Sequence, residues 1–174
     1  MPISLYDAFV PSCLQILHSV EGLIDKAEGF CQETGCPTGD LIGGRLHEDM
    51  LDFAYQVKSC SVHSSGAIAG VRAGVFSPDS TTPPDTFDGM REHLATGISN
   101  LEAVTSEEME GFIGREVHFK FGDKVDWPFT AENFLLSFSQ PNFYFHATTA
   151  YDILRMKGVK IGKRNFLGAL RKST

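Results

Sequence analysis

Leu46, Met50, Phe53, Val57, Cys60, Ser64, Ala67 and Val71 follow one another at steps of four and three without a slip. An α-helix, turning about 100° per residue, brings such positions onto one stripe; a strand would scatter them over two faces. The segment must therefore bury that stripe against other helices. Its side chains shrink toward the C-terminal end, where a partner helix can come close. The same stepping recurs in Phe9, Cys13, Ile16, Val20, Leu23 and Ala27, and again in Met90, Leu94, Ile98 and Leu101. Ser4 and Asp7 form a Ser-x-x-acid start ahead of the first run, a capping-box-like signal. Pro11 falls early in that helix and predicts a slight bend. Residues 29–40, with Gly35, Pro37 and Gly39, read as a loop, and 74–84 as a second, turn-rich one.

The period then changes. Val117, Phe119 and Phe121 alternate with His118 and Lys120, and Val125 and Trp127 alternate with Lys124 and Asp126. Gly122-Asp123 between them predicts a β-hairpin with a two-residue turn. A fourth helix is expected from about residues 129–132 to Lys157, kinked at Pro141 and stopped by Gly158. The pattern predicts a mainly all-α chain: one domain over residues 1–174, a four-helix bundle with a β-hairpin inserted between the third and fourth helices. The long second connection leaves room for a crossover.

Composition narrows the partners. Fifteen Lys and Arg against 22 Asp and Glu give a net charge of −7, without the basic footprint of a nucleic-acid binder. No apolar run nears the roughly 20 residues that span a bilayer, so no membrane is expected. The opening MPISLYDAFVP has no basic segment ahead of its apolar residues and reads as a poor secretory signal. Cys13 and Cys60 fall on the apolar stripes, where a thiol acts as a small hydrophobe. Cys31 and Cys36 fall in the predicted loop, at a spacing that is neither redox C-x-x-C nor a zinc knuckle. Four reduced thiols point to a cytoplasmic protein, and a Cys31–Cys36 disulfide is the alternative for an exported one.

The chemistry concentrates in PNFYFHATTAYDILR of the fourth helix. At helical spacing, Leu135, Phe138, Asn142, Phe145, Thr149 and Ile153 share its inward face. Asn142 and Thr149 are polar residues at core positions, and His146 stands beside both. Unsatisfied burial costs about 1–3 kcal/mol per group, so they must bond one another, water, a metal or a ligand. One outcome is a closed network that fixes helix packing; the other is a site binding a small molecule through Asn142 and Thr149, with His146 as its catalytic group. His63 flanks the second helix's stripe and can face His146 across the core. Two imidazoles make a partial metal site, whereas a catalytic zinc generally takes three protein ligands. Position 150, one turn after His146, is Ala.

His18, His47, His93 and His118 are expected to face solvent, and His47-Glu48 fails the H-E-x-x-H pattern at Leu51. No nucleophile elbow, P-loop or dinucleotide fingerprint occurs in its required setting. Gly66, Gly70 and Gly74 predict close helix–helix approach.

PNFYFHATTAYDILRMKGVKIGKRNFLG resembles the C-terminal signature of an uncharacterised domain-of-unknown-function family within the DinB/YfiT-like superfamily. LYDAFVP and EDMLDFAYQV extend the likeness upstream, over essentially the whole chain. The resemblance implies a DinB-like four-helix bundle, often a homodimer. Many such relatives bind a divalent metal (nickel, zinc or iron) through one His on the second helix and two on the fourth. Some use it in thiol-dependent transferase or isomerase chemistry. Carried over, His63 and His146 are the metal ligands and Ala150 replaces the third. Three readings are open: a metal-assisted enzyme, a metal-free small-molecule site around His146, and a structural dimer.

Overall fold

The computed structural model describes residues 3–172, so the first two residues of the opening segment and the last two of the chain lie outside the description. Helix α1 spans Leu5–Thr34, and Ser4 caps it, its Oγ accepting from the Asp7 amide at 3.0 Å. Pro11 is accommodated inside it. The helix continues through residues read as loop and ends at Gly35, whose φ of 73° suits glycine. Cys31 is therefore helical and buried, Cys36 lies past the helix end, and all four thiols are free. A short α2, Thr38–Ile42, follows.

The long second run is divided. Asp52 caps α3, Phe53–Val62, by accepting from the Tyr55 amide at 3.0 Å. Leu46 and Met50 are thus left in the preceding loop, half-buried. A break at His63-Ser64 separates α3 from α4, Ser65–Ala73. There Ser64 Oγ donates to the Cys60 carbonyl at 2.6 Å, a back-bond that competes with the helix ladder. The stripe survives the break, with Phe53, Val57, Cys60, Ser64, Ala67 and Val71 all buried. Helix α5, Phe87–Glu102, buries Met90, Leu94, Ile98 and Leu101 as its spacing predicts, and α6 is Ser106–Glu110.

The hairpin pairs β2, Glu116–Phe121, with β3, Val125–Thr130. Phe121 stands opposite Val125, so the turn uses residues 122–124, one more than expected, with Gly122 at φ 56°. A two-residue β1, Val75–Phe76, pairs parallel to β2 and completes a three-stranded sheet. Gly70 serves this strand and not a helix–helix contact: a Cβ there would stand 2.9 Å from the Phe76 Cβ.

The last helical stretch starts after the hairpin, with Phe129 and Thr130 still in β3. It runs through α7, Ala131–Asn133, a π-helical stretch Phe134–Ser139 and α8, Gln140–Met156, with Pro141 at the start of α8. A five-residue α9, Lys163–Leu167, packs on α1. Contacts run from α1 to α5, α5 to α3, α3 to α8 and α8 back to α1. The described residues are mainly helical with one small sheet. Among the described residues, no helix is long and apolar enough to cross a membrane.

Phe134 joins the two parts, its buried ring meeting Phe76, Phe129 and Phe138. Phe134→Ala should cost about 3–5 kcal/mol. Phe121→Ala, at a site 62% exposed, should change stability by about 0.5 kcal/mol or less. Urea denaturation of the two variants checks both, and equal losses would show that the sheet does not lean on Phe134.

Candidate functional site

Helices α3 and α8 bring His63 and His146 together, with ring centroids 5.5 Å apart and planes within 16°. His63 occupies the C-cap of α3, where the chain leaves the helix. Its Nδ1 lies 3.3 Å from Ser139 Oγ, and Ser139 Oγ donates to the His63 carbonyl at 3.1 Å. The hydroxyl proton is spent on that carbonyl, so Ser139 accepts from His63 Nδ1–H. His146 Nδ1 lies 2.7 Å from Gln56 Oε1, and Gln56 Nε2 donates to the Leu51 carbonyl at 2.9 Å. With its amide nitrogen committed, Gln56 accepts from His146 Nδ1–H. Both rings are thereby held as Nδ1–H tautomers, and each Nε2 keeps a bare lone pair with no partner among the described residues. Neither Nε2 is sealed from solvent.

Burial pushes both imidazoles down to about 4, and for His63 the proximity of His146 adds to the effect. They are neutral at pH 7. Aromatic rings wall the pair: Phe76 and Phe138 beside His63, Tyr55 and Phe145 beside His146. Phe119 extends the wall to Trp127, which is 53% exposed.

The structure brings His63 and His146 side by side, as the sequence allows, but it does not join Asn142 and Thr149 to His146. Asn142 Nδ2 donates to the Phe138 carbonyl at 2.7 Å and Thr149 Oγ1 to the Phe145 carbonyl at 2.8 Å. Each is satisfied within its own helix, and neither bonds His146. Thr149 lines a shallow groove of about 470 Å³ with Leu46, Met50 and Phe145, a groove that does not include His146. Phe145, expected inward, is 56% exposed. Gln56 and Ser139 escaped the sequence reading. No sequence signal marks them; only the fold shows both polar residues buried to 2% or less exposure.

A divalent ion bonded to both Nε2 atoms at 2.0–2.1 Å and a tetrahedral angle holds the ring centroids about 5 Å apart. The neutral rings and the Nδ1–H tautomers suit ligands, with Gln56 and Ser139 as the partners that orient them. The rings are stacked, however, which keeps their in-plane lone pairs in separate, nearly parallel planes; one imidazole must turn before both Nε2 atoms meet one ion. Among the described residues no three His, Cys, Asp or Glu could hold an ion together. Ala150 is fully buried in the core. After that turn the residues offer an ion two protein ligands and open positions, not a closed structural site. Burial drives the Cys13 and Cys60 thiols far up, so neither supplies a thiolate.

The lowered histidines make stability depend on pH. Between about 6.5 and 4 the unfolded chain binds protons that the folded chain refuses. The stabilisation is complete above 6.5 and is lost as pH falls toward 4, on the order of 3 kcal/mol per ring at most. Urea midpoints measured in chelator should fall over that window. A His63→Asn, His146→Asn double variant should flatten the profile, and an unchanged slope would place the pH dependence elsewhere.

Comparison with known proteins gives these observations a family. A crystal structure of a DinB family member protein from Shewanella denitrificans superimposes with a TM-score of 0.82 at 25% sequence identity, covering 98% of this chain and 95% of that one. No curated protein matches this chain. The family described as domain of unknown function DUF1993 matches residues 5–167, and with nearly its whole length inside that match the chain belongs to the DUF1993 family.

Proposed function

We propose that this protein is a metal-assisted transferase or isomerase of a small molecule, built on a DinB-like four-helix bundle, in which His63 and His146 hold a divalent nickel, zinc or iron ion. One observation carries the reading: Ser139 and Gln56 tie up both Nδ1 atoms and so leave two bare Nε2 donors on neighbouring imidazoles whose centroids stand 5.5 Å apart. A bound ion would supply Lewis acidity there, lowering the pKa of a coordinated thiol or polarising an oxygen of the substrate.

The chain's own residues do the rest. Gln56 and Ser139 fix ring orientation and tautomer. The wall of Phe76, Phe119 and Phe138 offers an apolar face to the carbon skeleton of a substrate and keeps bulk water from one side of the pair. The buried thiols of Cys13 and Cys60 stay protonated, so the thiol of a thiol-dependent reaction comes from a soluble co-substrate. Ala150, packed in the core, stands where the DinB-like relatives carry a third histidine, so substrate and co-substrate would occupy the remaining coordination positions.

Calorimetric titration of the untagged protein with Zn²⁺ and Ni²⁺ should give one ion per chain. His63→Ala or His146→Ala should abolish the site, and Gln56→Leu should weaken it by about 10–100-fold. Substoichiometric binding, or binding indifferent to both histidines, overturns the reading.

The buried Ala150 supports a second reading, in which the pair works without metal and the Nε2 lone pairs accept hydrogen bonds from a small-molecule donor. A ligand-induced rise in Tm that chelators leave untouched and His146→Ala removes would favour it. A rise that disappears with chelator would return the case to the metal.

A further inference from the structure

Cys31 and Cys36 meet at the end of α1, a helix that carries neither member of the histidine pair. Gly35 closes that helix with φ 73°, and its amide donates to the Cys31 carbonyl at 2.9 Å. Cys31 therefore stands in the last helical turn and Cys36 directly after the left-handed residue. Such a residue swings the chain back over the helix end and lays the side chain that follows it against one in the last turn. Here both side chains are thiols. Cys31 is 7% exposed, Cys36 is half-buried, and the two are unbonded. Burial pushes the Cys31 thiol up, and Cys36 adds to the shift by its charge and by a side-chain hydrogen bond; Asp40 and Glu28 add more. The two sulfurs are neighbours.

The backbone holds them so. The Cys36 amide donates to Thr34 Oγ1 at 3.3 Å, and that hydroxyl donates to the Phe30 carbonyl at 2.6 Å. On the other side Pro37, its φ fixed by the ring, caps α2, and its carbonyl accepts from the Asp40 amide at 3.0 Å. Cys36 Sγ donates to the Pro37 carbonyl at 3.6 Å, a weak bond that is easily given up. The two thiols differ in station. Cys36 is open to a reagent, whereas Cys31 is kept protonated by burial, by carboxylates and by the negative end of the α1 dipole.

We propose that Cys31 and Cys36 form a redox modification site, a dithiol that a small soluble disulfide converts to an internal Cys31–Cys36 bond. The Cys36 thiolate attacks one sulfur of the small disulfide, whose S–S bond breaks; one small thiolate leaves, and a mixed disulfide remains on Cys36. Cys31 then gives its proton to solvent and attacks the Cys36 sulfur. The Cys31–Cys36 bond forms and the second small thiolate leaves. Two electrons pass from the cysteines to the reagent, which ends as two thiols. The scarcity of Cys31 thiolate is offset by its position, since the second step is intramolecular. Closure staples the end of α1 to the start of α2. The site shares no residue with the histidine pair, and its failure leaves the metal reading untouched.

Trypsin cuts after Lys26 and Arg45 and nowhere between, so one peptide holds Cys31 and Cys36 and neither of the other cysteines. The full chain is equilibrated with 2-hydroxyethyl disulfide and 2-mercaptoethanol at graded ratios, quenched with N-ethylmaleimide, and read by mass spectrometry of that peptide. Both sites should lose the label together, and dithiothreitol should restore both. The equilibrium constant for closure should exceed that of the same chain in concentrated urea by about tenfold or more, because the cap holds the pair in place. This comparison uses the unaltered protein and needs no variant to fold. Cys31→Ser should halt the reaction at the mixed disulfide on Cys36. No closure at any ratio, a constant no greater than in urea, or a mixed disulfide as the end product of the unaltered protein would each overturn the proposal.

Discussion

Pro141 has no amide hydrogen, and in a regular helix its ring would press on the carbonyl four residues back. The chain resolves this upstream, by widening residues Phe134–Ser139 into π turns in which the Gln140 amide reaches the Leu135 carbonyl. A π stretch holds one residue more than an α turn of the same rise, so the helix beyond it is rotated by about 100°. The inward stripe accordingly moves one position along. Phe143 is buried where Asn142 was expected, Ala150 joins the buried Thr149, and Leu154 joins Ile153. Asn142 and Phe145 move to the outer flank, and His146 comes to the edge of the stripe that meets α3. The geometry of the histidine pair hangs on that one missing hydrogen.

The fold was legible where periodicity is continuous and long. The stripes of α1 and α5, the cap at Ser4 and the alternation of the hairpin all derive from spacing, because packing there obeys a single local period. Three things were not legible. The π widening is the response of a whole helix to one residue, and Pro141 read alone predicts only a kink. The break at His63-Ser64 leaves the burial stripe intact, so the hydrophobic pattern carries no trace of it. A two-residue β1 is too short to alternate. In the site, His63 and His146 were found because histidine near an apolar stripe is conspicuous. Gln56 and Ser139 were not, since their meaning lies in partners 90 and 76 residues away along the chain.

Helix α3 is the element on which the polar chemistry converges. It is packed between α8 on one side and α5 on the other, yet it buries Gln56, Lys58, Ser59 and Ser61. A helix enclosed on both sides usually sheds such residues, because each buried polar group needs a partner with good geometry. Here Gln56, Lys58 and Ser61 each have a direction. Gln56 orients His146 toward α8, Lys58 fastens the strap after β1, and Ser61 points at α5 without a partner. The histidine pair and the Ser61–Gly97 contact are the two flanks of this one helix, and α3 keeps them from sharing a residue.

The same rotation bears on why the metal reading stops at two ligands. Ala150 stands on the inner stripe with Ala147 and Leu154, all without exposure. A histidine there would carry its ring into packed hydrocarbon, and overfilling of that kind costs about 1–3 kcal/mol before any ion binds. A two-histidine centre avoids the cost but gives up a bond, so metal affinity rests on how well the two imidazoles are oriented. That places the burden on Gln56 and Ser139, which hold the rings in the donor tautomer without charge. It also means that a substrate or thiol completing the coordination contributes more of the binding than it would in a three-ligand site. Ion and co-substrate should therefore bind cooperatively, each raising the other's affinity by the same factor. Zinc titrations in the presence and absence of a small thiol should differ by that factor, and identical affinities would mean that the thiol never reaches the ion.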